Sequence, residues 1–145
     1  MLPQIQLSFA PGGAMYGCER AMKSGVMISI VDDDPSMREA TKELLRSLGY
    51  SAATFASADE FLGSEQLRQT ACVISDIQMP GLSGAELQRR LLADGHKMPI
   101  IFITAFPDER TRKRVLSAGA VCYLSKPYSE ESLIACLGAA LNPER

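Results

Sequence analysis

The sequence predicts an α/β domain built as a doubly wound, five-stranded parallel sheet, and three observations carry that prediction. From residue 26 to residue 141, short β-rich runs alternate with longer stretches of helical period, the mark of parallel strands joined by crossover helices. Two of the runs end on carboxylates, one at Asp32, Asp33 and Asp34 and the other at Asp76 ahead of Pro80. The carboxyl edge of such a sheet is where open α/β folds do their chemistry. The chain contains neither an internal repeat nor a low-complexity tract.

Each element has its own warrant. Residues 26–31 form an apolar run short enough for a buried strand. Met37, Ala40, Thr41, Leu44, Leu45 and Leu48 then recur at helical spacing, with Pro35 suited to a first turn and Gly49 to a stop. Residues 51–55 make the second strand, and Phe61, Leu62 and Leu67 mark a helix after Ser57. Residues 71–75 make the third strand, and Leu87, Leu91 and Leu92 a helix after Gly84. Residues 100–104 are followed by a helix over 108–118 that ends at Gly119. Residues 121–124 are followed by a helix over 129–141, stopped by Asn142 and Pro143. Five right-handed βα units of this kind close into a three-layer sandwich.

Composition narrows the field. At 145 residues the chain holds one domain with a single sizeable core, and a net charge of −2 gives no bulk attraction to nucleic acid or anionic membrane. A hydrophobic content of 46% argues against disorder. Cys18, Cys72, Cys122 and Cys136 show neither a CxxC pair nor zinc spacing, and the last three are read as small core residues, which implies a reducing, cytoplasmic setting. Residues 1–25 read as a leader outside the domain, a flexible extension or an addition of the gene model, with Met22 and Met27 as alternative starts; residues 142–145 read as a tail. The leader's Pro and Gly interrupt any apolar stretch, so it fits neither a signal peptide nor a membrane span.

Two further strand ends complete the site. Thr104 follows Pro99-Ile100-Ile101-Phe102-Ile103, and Lys126-Pro127 follows Tyr123-Leu124-Ser125. A hydroxyl, an ammonium and a cluster of carboxylates at one rim suit phosphoryl transfer to an aspartate, with the acids holding a hard divalent cation. The acidic run also has a plainer reading as a helix cap, a role assigned to Asp34. Lys126 alone would be a surface lysine, Thr104 a β-branched strand end, and Tyr123 a packed aromatic.

The chain strongly resembles the receiver domain of two-component response regulators, FixJ-type subgroup, over residues 26–141. The resemblance rests on Val31-Asp32-Asp33, the Asp76-Ile77-Gln78-Met79-Pro80-Gly81-Leu82-Ser83-Gly84 loop, Thr104-Ala105, and Tyr123-Leu124-Ser125-Lys126-Pro127, in that order and each after its own strand. It implies a flavodoxin-like sheet of order 2-1-3-4-5, which sets Asp33 near Asp76. It also implies that Asp76 takes a phosphoryl group from a sensor histidine kinase, a phosphotransfer protein or a small phosphodonor. Mg²⁺ would be held by Asp33, Asp76 and the backbone carbonyl of Gln78, with Asp32 acting through a metal-bound water. Thr104 and Lys126 would contact phosphoryl oxygens, Tyr123 would be the aromatic switch, and small Ala105 would leave the approach open. In such domains the side chains at Gln78 and Phe106 help set how long the phosphate survives. Output would pass to a protein partner or a second copy through the face of the fourth helix, fifth strand and fifth helix. Beyond self-phosphorylation and autodephosphorylation, no enzyme activity is expected.

FixJ-type receivers commonly carry a helix-turn-helix domain, and this chain ends at Arg145, so direct DNA binding by it is not expected. Three rivals stand beside this reading. A haloacid-dehalogenase-type phosphatase would want a second acid where Gln78 stands, and a flavin or nucleotide carrier would want a glycine loop after the first strand. A degenerate receiver acting as a phosphorylation-independent binding module would not need the full set of acids, Thr and Lys. Arg110, Arg112, Lys113 and Arg114 read either as a solvated face or as a partner surface, and His96 receives no role.

Overall fold

A computed structural model describes residues 25–142, so the leader and the tail expected from sequence lie, but for Gly25 and Asn142, outside the described residues, as does Cys18. The elements are β1 (Met27–Val31), α1 (Pro35–Ser47), β2 (Ser51–Phe55), α2 (Ala58–Leu62), a 3₁₀ turn (Leu67–Gln69), β3 (Thr70–Asp76), α3 (Gly84–Ala93), β4 (Ile100–Thr104), α4 (Glu109–Ser117), β5 (Cys122–Ser125) and α5 (Glu130–Leu141). All strand pairs are parallel, in the order β2-β1-β3-β4-β5, as expected.

Alternation along the central strands explains the layers. Ile28, Ile30, Cys72, Ile74, Ile101 and Ile103 face one way, onto Leu45 of α1 and Leu133, Leu137 and Ala140 of α5. Val31, Val73, Ile100 and Phe102 face the other way, onto Phe61 of α2, Leu87 and Leu91 of α3 and Val115 of α4. Both faces of the sheet are covered, so β3 and β4 are apolar on both sides and buried almost throughout. The edge strands β2 and β5 are mostly half-buried. Because β1 connects outward to β2 while β3 leads away to β4, the order in which the chain adds strands reverses between the parallel neighbours β1 and β3. That is the switch point at which such sheets bind ligands.

Local chemistry sets the helix ends. Asp34 caps α1, its Oδ1 accepting from the backbone N–H of Ser36 at 2.9 Å and of Met37 at 3.5 Å, with Pro35 in the first turn. Ser83 caps α3 in a reciprocal box with Glu86. Gly49 and Gly119 follow the ends of α1 and α4 at φ of 97° and 110°, where only glycine turns without strain.

Several expectations need correction. α2 stops at Leu62, and Leu67 belongs to the 3₁₀ turn, because Gly63 closes the helix. Ala40 and Leu92 share the spacing of core residues yet are exposed, Leu92 at 52%, since each helix buries a narrower stripe than its apolar pattern suggests. Of the three cysteines read as separate core residues, only Cys72 is free. Cys122 of β5 and Cys136 of α5 form a disulfide, with Cα atoms 6.1 Å apart. α5 lies over the same sheet face as Cys122, which brings together thiols that sequence spacing does not relate. The reducing setting inferred from unpaired cysteines loses that basis.

Candidate functional site

Each acid reaches the rim because an apolar strand carries it there. Asp76 is the last residue of β3, and Asp32 and Asp33 follow β1, the strand paired with β3 in register Val31↔Ser75. One oxygen from each of Asp32, Asp33 and Asp76 lies within 4.8 Å of the others. Asp32 and Asp76 are buried, each 7% exposed, while Asp33 is open to solvent. Three carboxylate oxygens this close suit a divalent cation such as Mg²⁺, and Asp33 is the one of the three residues that faces solvent.

Lys126 enters from the end of β5. Its backbone N–H donates to the carbonyl of Thr104 at 2.8 Å, which pins the start of the loop to β4. Its Nζ donates to Asp32 Oδ2 at 3.2 Å and to Asp76 Oδ2 at 3.1 Å. Burial pushes the Asp76 carboxyl up from the usual range; Lys126 opposes this, the Asp32 charge adds to it, and the net direction is upward. For Lys126, burial pulls the ammonium down, but the hydrogen bond to Asp76 and the charges of Asp32 and Asp76 outweigh it. The lysine is therefore held cationic between two carboxylates that gain from every positive charge brought to them.

The remaining oxygens are also committed. Asp76 Oδ1 accepts from the Ile77 N–H at 2.7 Å, and Asp32 Oδ1 from the Asp34 N–H at 2.9 Å. Gly84 lets α3 start against this strand end: a Cβ there would meet the Asp76 carbonyl oxygen at 2.2 Å.

Thr104 is fully buried at the end of β4. Its hydroxyl donates to Gln78 Oε1 at 2.6 Å and accepts from the Phe106 N–H at 3.0 Å, so it engages a side chain of the β3–α3 loop rather than the acids. Ala105 beside it is exposed, and Phe106 is 71% exposed. Tyr123 pairs with Phe102 in the β4–β5 register and packs on the same core layer, two residues before the level of Thr104. Its hydroxyl accepts from the N–H of Asp108, the cap of α4, at 3.1 Å. The structure thus gathers Asp32, Asp33, Asp76 and Lys126 into one cluster, sets Gln78 and Thr104 together beside it, and ties Tyr123 to α4.

Two contacts escaped the sequence reading. Arg38 of α1 donates to the Asp32 carbonyl at 2.8 Å. The buried Thr41 hydroxyl meets the Tyr128 hydroxyl at 2.7 Å, anchoring the segment after Lys126 to α1. The Thr41 signal was a hydroxyl in the apolar stripe of a helix, where a buried polar group needs a partner. Nothing in the sequence named that partner.

Comparison with known proteins agrees with this geometry. The response regulator receiver domain model matches residues 28–138. Response regulator protein TodT of Pseudomonas putida is 37% identical over 130 residues, covering 87% of this chain and 57% of that protein. The chain spans only about half the length of the curated relatives it matches. Among solved structures, a response regulator receiver protein from Burkholderia phymatum is 44% identical with a TM-score of 0.68, covering 80% of this chain and 94% of that one. Response regulator StyR is 41% identical with a TM-score of 0.76, covering 83% and 62%. The sheet order, the strand-end acids and the family match over residues 28–138 converge: this chain belongs to the receiver-domain family of two-component response regulators.

Proposed function

We propose that Asp76 is the phosphoacceptor of this receiver and that its phosphorylation alters a protein-interaction surface. The observation that carries this reading is the buried Asp76 carboxylate, with one oxygen held by the Ile77 amide and the other by Lys126. In the transfer, a carboxylate oxygen of Asp76 forms the new P–O bond as the donor's bond to phosphorus breaks, and the donor leaves with its bonding electrons. A histidine kinase or phosphotransfer protein is the proposed donor. The phosphoryl oxygens bring their own negative charge to the site while the charge of the carboxylate leaves with the donor, which takes up a proton, and the Lys126 ammonium pairs with a phosphoryl oxygen in place of the carboxylate oxygen it held. Asp33, Asp76 and the Gln78 carbonyl would hold Mg²⁺, with Asp32 acting through a metal-bound water, and the ion would supply charge neutralisation to the same oxygens.

Thr104 and Tyr123 lie on the same face of neighbouring strands, which supports their reading as a coupled switch. Withdrawal of the Thr104 hydroxyl toward phosphate would shift the packing around Tyr123 and the start of α4, and output would pass through the face of α4, β5 and α5. A dehalogenase-type phosphatase finds no second acid at Gln78, whose side chain is occupied by Thr104. Apart from self-phosphorylation and autodephosphorylation, the proposal assigns the chain no enzyme activity.

Incubation with acetyl phosphate and Mg²⁺ is expected to add one phosphoryl group by intact mass. EDTA or Asp76→Asn is expected to abolish the addition. Equal labelling of Asp76→Asn would overturn the assignment.

A further inference from the structure

A hydroxyl has one proton to give. In the resting domain that proton of Thr104 is already given, to Gln78 Oε1 at 2.6 Å, a short contact for a hydroxyl donor. The two partners stand in unequal surroundings. Thr104 is fully buried and needs an acceptor at all times, whereas Gln78 is exposed and can turn its carboxamide to water at little cost. Thr104 Oγ1 also accepts from the Phe106 N–H at 3.0 Å, so moving the hydroxyl moves the loop that leads to α4.

We propose that Gln78 is a positioning residue, a latch that holds the Thr104 hydroxyl away from the phosphoryl group until an anion at Asp76 outbids it. The inference rests on the reading of Asp76 as phosphoacceptor. Thr104 exchanges one acceptor for another: the bond to Gln78 Oε1 breaks as the bond to a phosphoryl oxygen forms, and the buried hydroxyl is never left unpaired. The strength of the Gln78 bond then subtracts directly from the affinity of the site for a phosphoryl group. It also sets how completely the loop through Phe106 shifts.

The test uses beryllofluoride as the phosphoryl stand-in, titrated at saturating Mg²⁺ and followed by amide NMR. Gln78→Met keeps the bulk of the side chain and removes its acceptor; Gln78→Ala removes both. Losing one neutral hydrogen bond from the resting state is expected to tighten beryllofluoride binding roughly 2- to 10-fold in both variants. In a Thr104→Val background the same substitutions are expected to leave the affinity unchanged, a result that general loosening of the β3–α3 loop would not give. Independently of metal and anion, the Gln78 side-chain carboxamide resonance is expected to shift between Mg²⁺-free wild type and Thr104→Val. Unchanged or weaker beryllofluoride binding in Gln78→Met, a gain that persists without the Thr104 hydroxyl, or an unmoved carboxamide resonance would each overturn the latch alone. A wild-type protein that takes up no beryllofluoride would overturn the phosphoacceptor reading along with it.

Discussion

Replacing Gly84 by alanine measures how closely α3 is set against the end of β3. A Cβ at Gly84 would stand 2.2 Å from the Asp76 carbonyl oxygen and 3.0 Å from both Ile77 Cα and Phe102 Cε1. Non-bonded atoms of this size settle at about 3.5 Å, so the helix start has to retreat by about 1 Å. It is not free to do so, because the Gly84 N–H donates to the Ile77 carbonyl at 2.8 Å and the Ser83 capping box holds the same turn. Crowding of this kind costs about 1–3 kcal/mol. Against it stands the preference of helices for alanine over glycine, up to about 1 kcal/mol. Gly138 in α5 supplies the control, since a Cβ there meets nothing within 4 Å. Gly138→Ala is expected to stabilise by about 0.5–1 kcal/mol. Both substitutions restrict the unfolded chain alike, so the difference between the variants isolates the crowding, about 1–3 kcal/mol. Urea unfolding followed by circular dichroism reads both. A Gly84→Ala protein as stable as Gly138→Ala would refute the close approach of α3 to β3. The crowded atom is the carbonyl of Asp76 itself, so Mg²⁺ affinity is expected to fall in Gly84→Ala as well.

Lys126→Ala leaves the buried carboxylates of Asp32 and Asp76 without their shared cation, and the Mg²⁺-free protein is expected to lose on the order of 2 kcal/mol. Added Mg²⁺ should then stabilise this variant more than wild type in thermal melts, and an equal increment in both would contradict the electrostatic account. The Cys72 thiol is fully buried and pushed up to about 12 by that burial, so native protein at neutral pH is expected to resist iodoacetamide there; rapid native alkylation of Cys72, mapped by peptide mass, would refute it. Tyr128→Phe removes the partner of the buried Thr41 hydroxyl and is expected to cost about 0.5–1.5 kcal/mol in urea unfolding. In a Thr41→Val background the cost should shrink, and an undiminished cost would show that the hydroxyl pair is not its source.

What the sequence determined was set by period and punctuation. Apolar runs of strand length placed all five strands to within a residue or so, because burial on both sheet faces leaves little room for polar residues in β3 and β4. Asp34, Pro35, Gly49 and Gly119 marked helix ends because capping and positive φ are local demands. The acids of the site were legible for a similar reason, since a carboxylate after a buried run has nowhere to go but the rim. Periodicity tells which way a residue points, not what meets it there. The order of the strands therefore came from resemblance to a family, not from spacing. Ala40 and Leu92 kept the helical period and still faced solvent, because only packing decides how wide a stripe is covered. The bond between Cys122 and Cys136, the Thr41–Tyr128 pair spanning 87 residues and the hold of Gln78 on Thr104 each join side chains from different elements. Such pairings depend on distances between strands and helices that exist only once the sheet has closed, and tertiary structure alone decides them.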